Sequence, residues 1–206
     1  MNTFVCLLGI DGGGKTTALQ YMRDELKLEF ESSCWSSFRH MAQVPGISEH
    51  KDAGVVLNSL PPKSRAAAVT LITTLIYEAN IAPRLDSNIP QISECFYYRI
   101  LAKELIYEVA ESWCYDIMRS LPSPALTIAI VNDPQIAYQR KRKPLSRYEY
   151  FTTPDDFPNF QTKVWALSLK EAYSHSEVVK IPNDQGIPEL ANNIVKVLQA
   201  NMGWFL

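Results

Sequence analysis

Residues 9–17 read GIDGGGKTT. Three consecutive glycines followed by a lysine and two hydroxyl residues suit neither a helix interior nor a strand. Yet the run joins an apolar, β-rich segment, TFVCLLG (3–9), to a stripe at helical spacing formed by Leu19, Met22, Leu26 and Phe30. Gly9 to Thr16 satisfies the pattern GxxxxGK[ST]. Glycine allows positive φ and close backbone approach, and the following helix offers unpaired N-terminal amides and the positive end of its dipole. Strand, loop and helix in this order cradle the phosphates of a nucleotide. Asp11, Gly12, Gly13, Gly14, Lys15, Thr16 and Thr17 are therefore the expected ATP-binding residues, with Lys15 on the β and γ phosphates and the Thr16 hydroxyl on Mg2+. The bland alternative, a glycine-rich turn that binds nothing, has no use for GKTT.

Working outward, LTIAIV (126–131) is a second continuous apolar run of the kind buried on both faces of a parallel sheet. CWSSF (34–38), IPQIS (89–93) and EVVKI (177–181) are its expected companions. A helix is predicted from about Pro62 to Leu85, apolar nearly all round at AAAVTLITTLI and hence buried. A second stripe runs through Ala102, Ile106, Val109, Trp113 and Ile117, and a last one through Ile187, Leu190, Ile194 and Val197. Asp133 before Pro134 reads as an N-cap and first helical position. Strand and helix alternate, so the expected fold is α/β, a P-loop NTPase-type three-layer α/β/α domain over 1–206 with a mainly parallel five-stranded sheet.

The 206 residues suffice for one sizeable core. A net charge of −2 gives no field that would draw the whole surface onto nucleic acid or membrane, so anion affinity has to be local. Cys6, Cys34, Cys95 and Cys114 are widely spaced without a CxxC pair, which points to reduced thiols in a cytoplasmic protein. The apolar start lacks a basic leader, and nothing approaches the roughly 18 apolar residues of a membrane span. His40, His50 and His175 have no ligand spacing and receive no role.

The run QRKRKPLSR (139–147) carries Arg140, Lys141, Arg142, Lys143 and Arg147 without one acid. A solvated face or a polynucleotide contact is the ordinary explanation of such runs. Here Pro144 interrupts the helix, and the chain already holds a phosphate loop. Phosphoryl transfer needs positive charge on the migrating group, and arginines on a mobile element contribute about 10³ to 10⁵ in rate. The segment therefore reads as a closing lid over 139–150, with Arg140 and Arg142 as catalytic cations.

With these motifs in place, the chain resembles the thymidylate kinase family of nucleoside monophosphate kinases. GIDGGGKTT is similar to that family's phosphate loop, including the acid at Asp11. Phe38-Arg39 falls where the family places an arginine that grips the acceptor's phosphate. IAPRLDSNIPQISE (81–94) matches in spacing the approach to the family's Asp-Arg pair, and LTIAIVNDPQIAYQRKR resembles the fourth strand and the helix entering the lid. SRYE resembles the lid's closing element. The resemblance implies ATP as donor, Mg2+ held by Thr16 and Glu94, catalysis by Lys15, Glu94, Arg140 and Arg142, and a phosphate acceptor oriented by Asp11, Arg39, Arg99 and Arg147. Asp11 would touch a sugar hydroxyl, which argues for a nucleotide-like acceptor. Family members form homodimers through helices beside the sheet; the 66–76 helix is compatible with that and equally with a monomer core.

The departures cluster on the acceptor side. The Asp-Arg pair is Glu94-Cys95 here, which keeps a carboxylate and loses the arginine. Arg99 and Lys103 share a face of the next helix and could restore positive charge; the alternative is ordinary pairing with Glu104 or Glu108. Glu94 itself could equally be a helix-capping or solvated residue. The family's base-reading positions fall near Val69 and Thr73, neither of which stacks on or bidentately bonds a pyrimidine. The expected activity is transfer of the γ-phosphoryl of ATP to a nucleoside monophosphate or similar small phosphate, with dTMP a poor acceptor. The second reading is a catalytically inactive nucleotide-binding regulatory homologue; a polynucleotide-dependent NTPase is a weaker third.

Overall fold

A strand covered by helices on both faces has no polar alternation, and VCLL has none: Val5–Leu8 (β1) is buried throughout, as are the first five residues of Leu126–Val131 (β4). The computed structural model describes residues 3–35, 57, 59–108, 112–141, 145 and 147–205. Among these, Glu31–Ser33 (β2), Gln91–Glu94 (β3) and Glu177–Pro182 (β5) complete an all-parallel five-stranded sheet in the order β2-β3-β1-β4-β5. Central β1 pairs Leu7 with Glu94 on one side and with Ile128 on the other. The glycine loop and Glu94 therefore leave the same end of the sheet side by side.

Successive side chains of β1 point to opposite faces. Val5 and Leu7 join Ala18, Leu19 and Met22 of Lys15–Asp24 (α1) and Leu190, Ile194 and Leu198 of Ile187–Met202 (α7). Phe4, Cys6 and Leu8 join the other core. There they meet Val69, Ile72 and Ile76 of Pro62–Ile76 (α2), Tyr97, Tyr98 and Leu101 of Phe96–Ile106 (α3), Met118 of Ser112–Ser120 (α4) and Ala172 of Phe157–His175 (α6). Two helical layers thus sandwich the sheet, as expected for a three-layer α/β/α domain. The remaining helix, Pro134–Arg140 (α5), starts where the sequence places it, with the Asp133 carboxylate accepting from the Gln135 amide at 2.7 Å.

Four expectations need correction. β2 lies at 31–33 rather than 34–38, because pairing of Glu31 with Gln91 holds it as a backbone ladder without an apolar pattern; residues 36–38 lie outside the described residues. The first stripe overruns its helix: α1 ends at Asp24, and Lys27 turns the chain with φ 54°. The stripe from Ala102 to Ile117 is broken at Glu108 (φ 57°) into α3 and α4, and Trp113 and Ile117 are exposed while Cys114 and Met118 are buried. Val109 is outside the described residues. Finally, α2 continues through a wide turn (Tyr77–Ile81) and a tight one (Ala82–Arg84) into one 23-residue run, Pro62–Arg84, long and apolar enough to cross a membrane. It is docked on the sheet through Val69, Ile72 and Ile76 but is not covered all round, since Leu71 is 59% and Leu75 40% exposed.

Candidate functional site

Two of the loop glycines have a stereochemical reason to be there. Gly14, at the N-cap of α1, takes φ 86°, which side chains rarely adopt. A Cβ on Gly13 would lie 2.8 Å from Asn132 Oδ1 and 3.0 Å from the Ile10 carbonyl. The loop is thereby wrapped close around the Lys15 side chain, whose ammonium donates to the carbonyls of Gly9 (3.1 Å) and Ile10 (2.7 Å). Asn183, after β5, braces the loop from the far side by donating to the Gly13 carbonyl at 3.1 Å. The leading amides of α1 have no intrahelical acceptor, and they open on a cleft of about 900 Å3. Gly12, Gly13, Gly14, Lys15, Thr16 and Thr17 all line it, together with Glu94, Arg99 and Arg140.

At the cleft the Thr16 hydroxyl donates to Glu94 Oε2 at 2.7 Å across 78 positions of sequence. The register of β1 against β3 makes this contact, because Leu7 lies opposite Glu94 and α1 begins within the next turn of chain. A hydroxyl and a carboxylate side by side and open to solvent are hard oxygen ligands. This donor set fits a hard divalent cation such as magnesium. Among the described residues no group of three His, Cys, Asp or Glu side chains gathers to hold a metal, here or elsewhere. Glu94 leads into a strained turn: Cys95 (φ 65°) and Phe96 (φ 42°) both lie in the left-handed region, held by Cys95 N–H donating to Leu7 O at 3.0 Å.

Asp11 lines the cleft with the other loop residues and is at the same time the centre of a polar hub. Oδ1 accepts from Arg99 Nη1 at 2.5 Å, while Oδ2 accepts from Lys103 Nζ at 2.9 Å and Gln161 Nε2 at 3.1 Å. Gln161 also accepts from the Asp11 amide at 3.0 Å. Burial pushes the Asp11 carboxyl up, but Arg99, Lys103, Lys15 and Lys141 together hold it well below the usual carboxylate range. For Lys103 burial wins over Asp11 and the ammonium's pKa is lowered; for Arg99 burial is outweighed by Asp11 and the pKa is raised. Arg99 and Lys103 thus pair with Asp11, neither with Glu104 nor with Glu108. Glu104 instead faces Arg65 (3.2 Å) and the Tyr148 hydroxyl (2.7 Å).

The same hub anchors the far end of the basic segment. Lys103 donates to Tyr148 O at 2.8 Å and Gln161 to Glu149 O at 3.0 Å, while the Tyr107 hydroxyl donates to Tyr150 O at 2.8 Å. Tyr148 and Tyr150 are buried, so 148–150 belongs to the core rather than to a lid; residues 142–144 and 146 lie outside the described residues. Arg140 is exposed on the wall of the cleft, and Lys141, beside it, pairs with Glu149. Arg39 and Arg142 lie outside the described residues, as does the side chain of Arg147. On the acceptor side Val69 is fully buried, and the Thr73 hydroxyl donates to Val69 O of its own helix at 2.8 Å. Thr73 edges a hollow of only about 20 Å3, closed by Trp35, Ile76, Phe96 and Arg99.

The structure brings Lys15, Thr16, Glu94, Arg99 and Arg140 to one cleft. It adds three residues to which sequence reasoning gave no role: Lys141, Gln161 and Asn183. Lys141 sat in plain view within the basic run, but Gln161 and Asn183 carry no local signal. No protein-family model matches the chain, and no curated protein matches it.

Proposed function

We propose that the chain is a P-loop phosphotransferase resembling thymidylate kinases, moving the γ-phosphoryl of ATP to a nucleoside monophosphate or similar phosphate-bearing acceptor. The observation that carries this reading is the Thr16–Glu94 contact at 2.7 Å, which sets an α1 hydroxyl and a β3 carboxylate together beside Lys15 at the mouth of the cleft. A glycine turn with a purely structural purpose has no need of that pair. Thr16 and Glu94 would hold Mg2+ there, and the ion would offset the charge of the donor phosphates.

The chain's own residues do the rest by position and charge. The amides of the loop and of the first turn of α1 would receive phosphate oxygens, apart from that of Gly13, which donates to Ile10 O at 3.1 Å. Lys15 exchanges the Gly9 and Ile10 carbonyls, which it holds in this structure, for the β and γ phosphates. Arg140, also on the wall of the cleft, would supply positive charge to the transferring group. No side-chain nucleophile is required, because the acceptor phosphate is itself the nucleophile. A second copy of the chain would find exposed Leu71 and Leu75 on α2, so a homodimer through that helix belongs to the same reading. Neither a polynucleotide nor a membrane is part of it.

The buried Val69, the self-bonded Thr73 and the hollow of about 20 Å3 favour a second reading, a nucleotide-binding regulatory homologue without transfer activity. Coupled ADP-release assays over a panel of nucleoside monophosphates and small phosphates separate the two. Transfer predicts acceptor-stimulated ADP release that falls at least about 10²-fold in Lys15→Ala, on the scale of losing a key electrostatic stabiliser. Full turnover in that variant would overturn the donor assignment, and ATP binding with no stimulated release would favour the regulatory reading.

A further inference from the structure

Arg99 has more donors than its partners use. A guanidinium offers five N–H groups in a rigid planar fork. Asp11 takes one of them, at Nη1, while the Nε–H is buried with no partner among the described residues. Its side chain keeps 16% exposure and lies on the wall of both the main cleft and the smaller hollow behind Glu94. A buried, charged donor left unpaired is costly, and an anion arriving from the cleft would remove that cost. Asp11 also lines the cleft, but Arg99 at Oδ1 and Lys103 and Gln161 at Oδ2 take three of its carboxylate's four acceptor sites, which leaves at most one for a sugar hydroxyl.

Resting on the phosphotransferase reading, we propose that Asp11, Arg99 and Lys103 form a preassembled receptor for the acceptor's phosphate, in which Asp11 positions the guanidinium and Arg99 turns its Nε edge to the incoming oxyanion. The acceptor class is then a phosphate monoester recognised through its phosphate, without a requirement for a neighbouring sugar hydroxyl. Lys103 fixes the other oxygen of Asp11, and its bond to Tyr148 O ties the receptor to the buried segment 148–150. In the transfer step an oxygen of the monoester dianion bonds to the γ-phosphorus as the bond from that phosphorus to the β,γ-bridging oxygen breaks. ADP leaves with the electron pair. No proton has to move, and charge balances: four plus two negative charges on ATP and acceptor become three plus three on ADP and the diphosphate product.

Two measurements test this. In ADP-release assays with each 2′-deoxynucleoside 5′-monophosphate and its 2′,3′-dideoxy counterpart, kcat/KM of the best pair should agree within about threefold, less than a hydrogen bond to a charged group contributes. A preference above about tenfold for the 3′-hydroxyl, the size of a lost bond to a carboxylate, would overturn the role given to Asp11. The second measurement needs no turnover: inorganic phosphate is titrated by calorimetry into protein saturated with a non-hydrolysable ATP analogue. Arg99→Ala should weaken phosphate binding on the order of 10²-fold, as truncation of one member of a buried charge pair does. Its affinity for the ATP analogue should fall by much less than its affinity for phosphate, since Lys103 still offsets the charge of Asp11. Arg99→Lys, which retains the charge and loses the fork, should recover only part of the loss and keeps the test interpretable if the alanine variant folds poorly. Phosphate binding that is absent in the wild type, or equal in wild type and both variants, overturns the receptor. Phosphate binding lost with Arg99 but without ADP release from any acceptor would leave the receptor standing and remove the transfer reading instead.

Discussion

Asp11→Asn tests the polar hub most directly, because it keeps the shape of the side chain and removes only its charge. In the wild type Oδ1 faces Arg99 at 2.5 Å and Oδ2 faces Lys103 at 2.9 Å and Gln161 at 3.1 Å. Whichever way the carboxamide sits, its NH2 group confronts a donor, and two cations with side chains 16% and 4% exposed lose their shared counter-ion. Breaking a buried pair in this way costs about 3–5 kcal/mol. At about 2–4 °C per kcal/mol for a domain of this size, Tm should fall by roughly 6–20 °C. Thermal scans and urea unfolding at neutral pH measure it. The pH dependence is a second check. Asp11 has a folded pKa below its unfolded value of about 3.9, so its contribution is complete above that value and is lost only as pH falls through the folded one. The gap between wild type and variant should therefore stay flat from about pH 7 to pH 5 and close only in stronger acid. Lys103 adds the opposite end of the profile. Its lowered pKa means that the unfolded chain binds the extra proton between the folded value and about 10.4, so stability rises with pH across that alkaline window. A Tm within about 2 °C of wild type, far below the pair-breaking cost, or a gap that fades already between neutral pH and pH 5, would refute the hub as drawn.

Three further outcomes are expected. Gly13→Ala, whose Cβ would meet Asn132 Oδ1 at 2.8 Å, should leave the circular dichroism spectrum intact. It should weaken ATP binding by about tenfold or more, since small misplacements of a positioning element are costly; an unaltered Kd by calorimetry would contradict the loop geometry. Tyr148→Phe removes the 2.7 Å bond to buried Glu104 and should lower the unfolding free energy by about 1–3 kcal/mol. An unchanged urea midpoint would show that this contact does not hold the segment 148–150. Ellman's reagent should find one fast thiol, Cys34, in the native chain; Cys6, Cys95 and Cys114 are buried, and burial pushes the Cys6 thiol up. Rapid modification of more than one would place a supposedly buried thiol at the surface.

The parts of this structure legible in the sequence are those whose physics is local. Continuous apolar runs at 5–8 and 126–131 can only be satisfied between two helical layers, and both are central strands. GGGKTT reports its own backbone demands through Gly13 and Gly14. β2 was misplaced because Glu31, Ser32 and Ser33 have no apolar pattern and owe their extended form to β3 alone. The stripe through Ala102 and Ile117 kept helical spacing across a residue with φ 57°, which periodicity cannot detect, and so assigned Trp113 to the wrong face. The hub was the least legible part. Its members stand 88, 92 and 150 positions from Asp11, and only the fold decides that Arg99 and Lys103 answer the loop rather than the nearer Glu104 and Glu108.

That choice of partner has an electrostatic logic in the phosphotransferase reading. An unpaired carboxylate in the glycine loop would stand against the phosphates the loop receives, and two unit charges about 4 Å apart interact by roughly 4 kcal/mol at an effective dielectric of about 20. Lys15 neutralises it only in part, because its ammonium serves the loop carbonyls or a phosphate. Arg99 and Lys103 do so from α3 with one positive charge in excess, and the excess lies on the cleft wall, where Arg99 is lodged beside Glu94. Glu94 then keeps its carboxylate for Thr16 and for a metal, instead of spending it on an arginine at position 95, where the chain has a buried cysteine. In that reading the arginine that the resembled family carries at position 95 and the one here at Arg99 would be two sides of a single redistribution of charge, with Asp11 as internal counter-ion and α3 supplying the positive wall of the site.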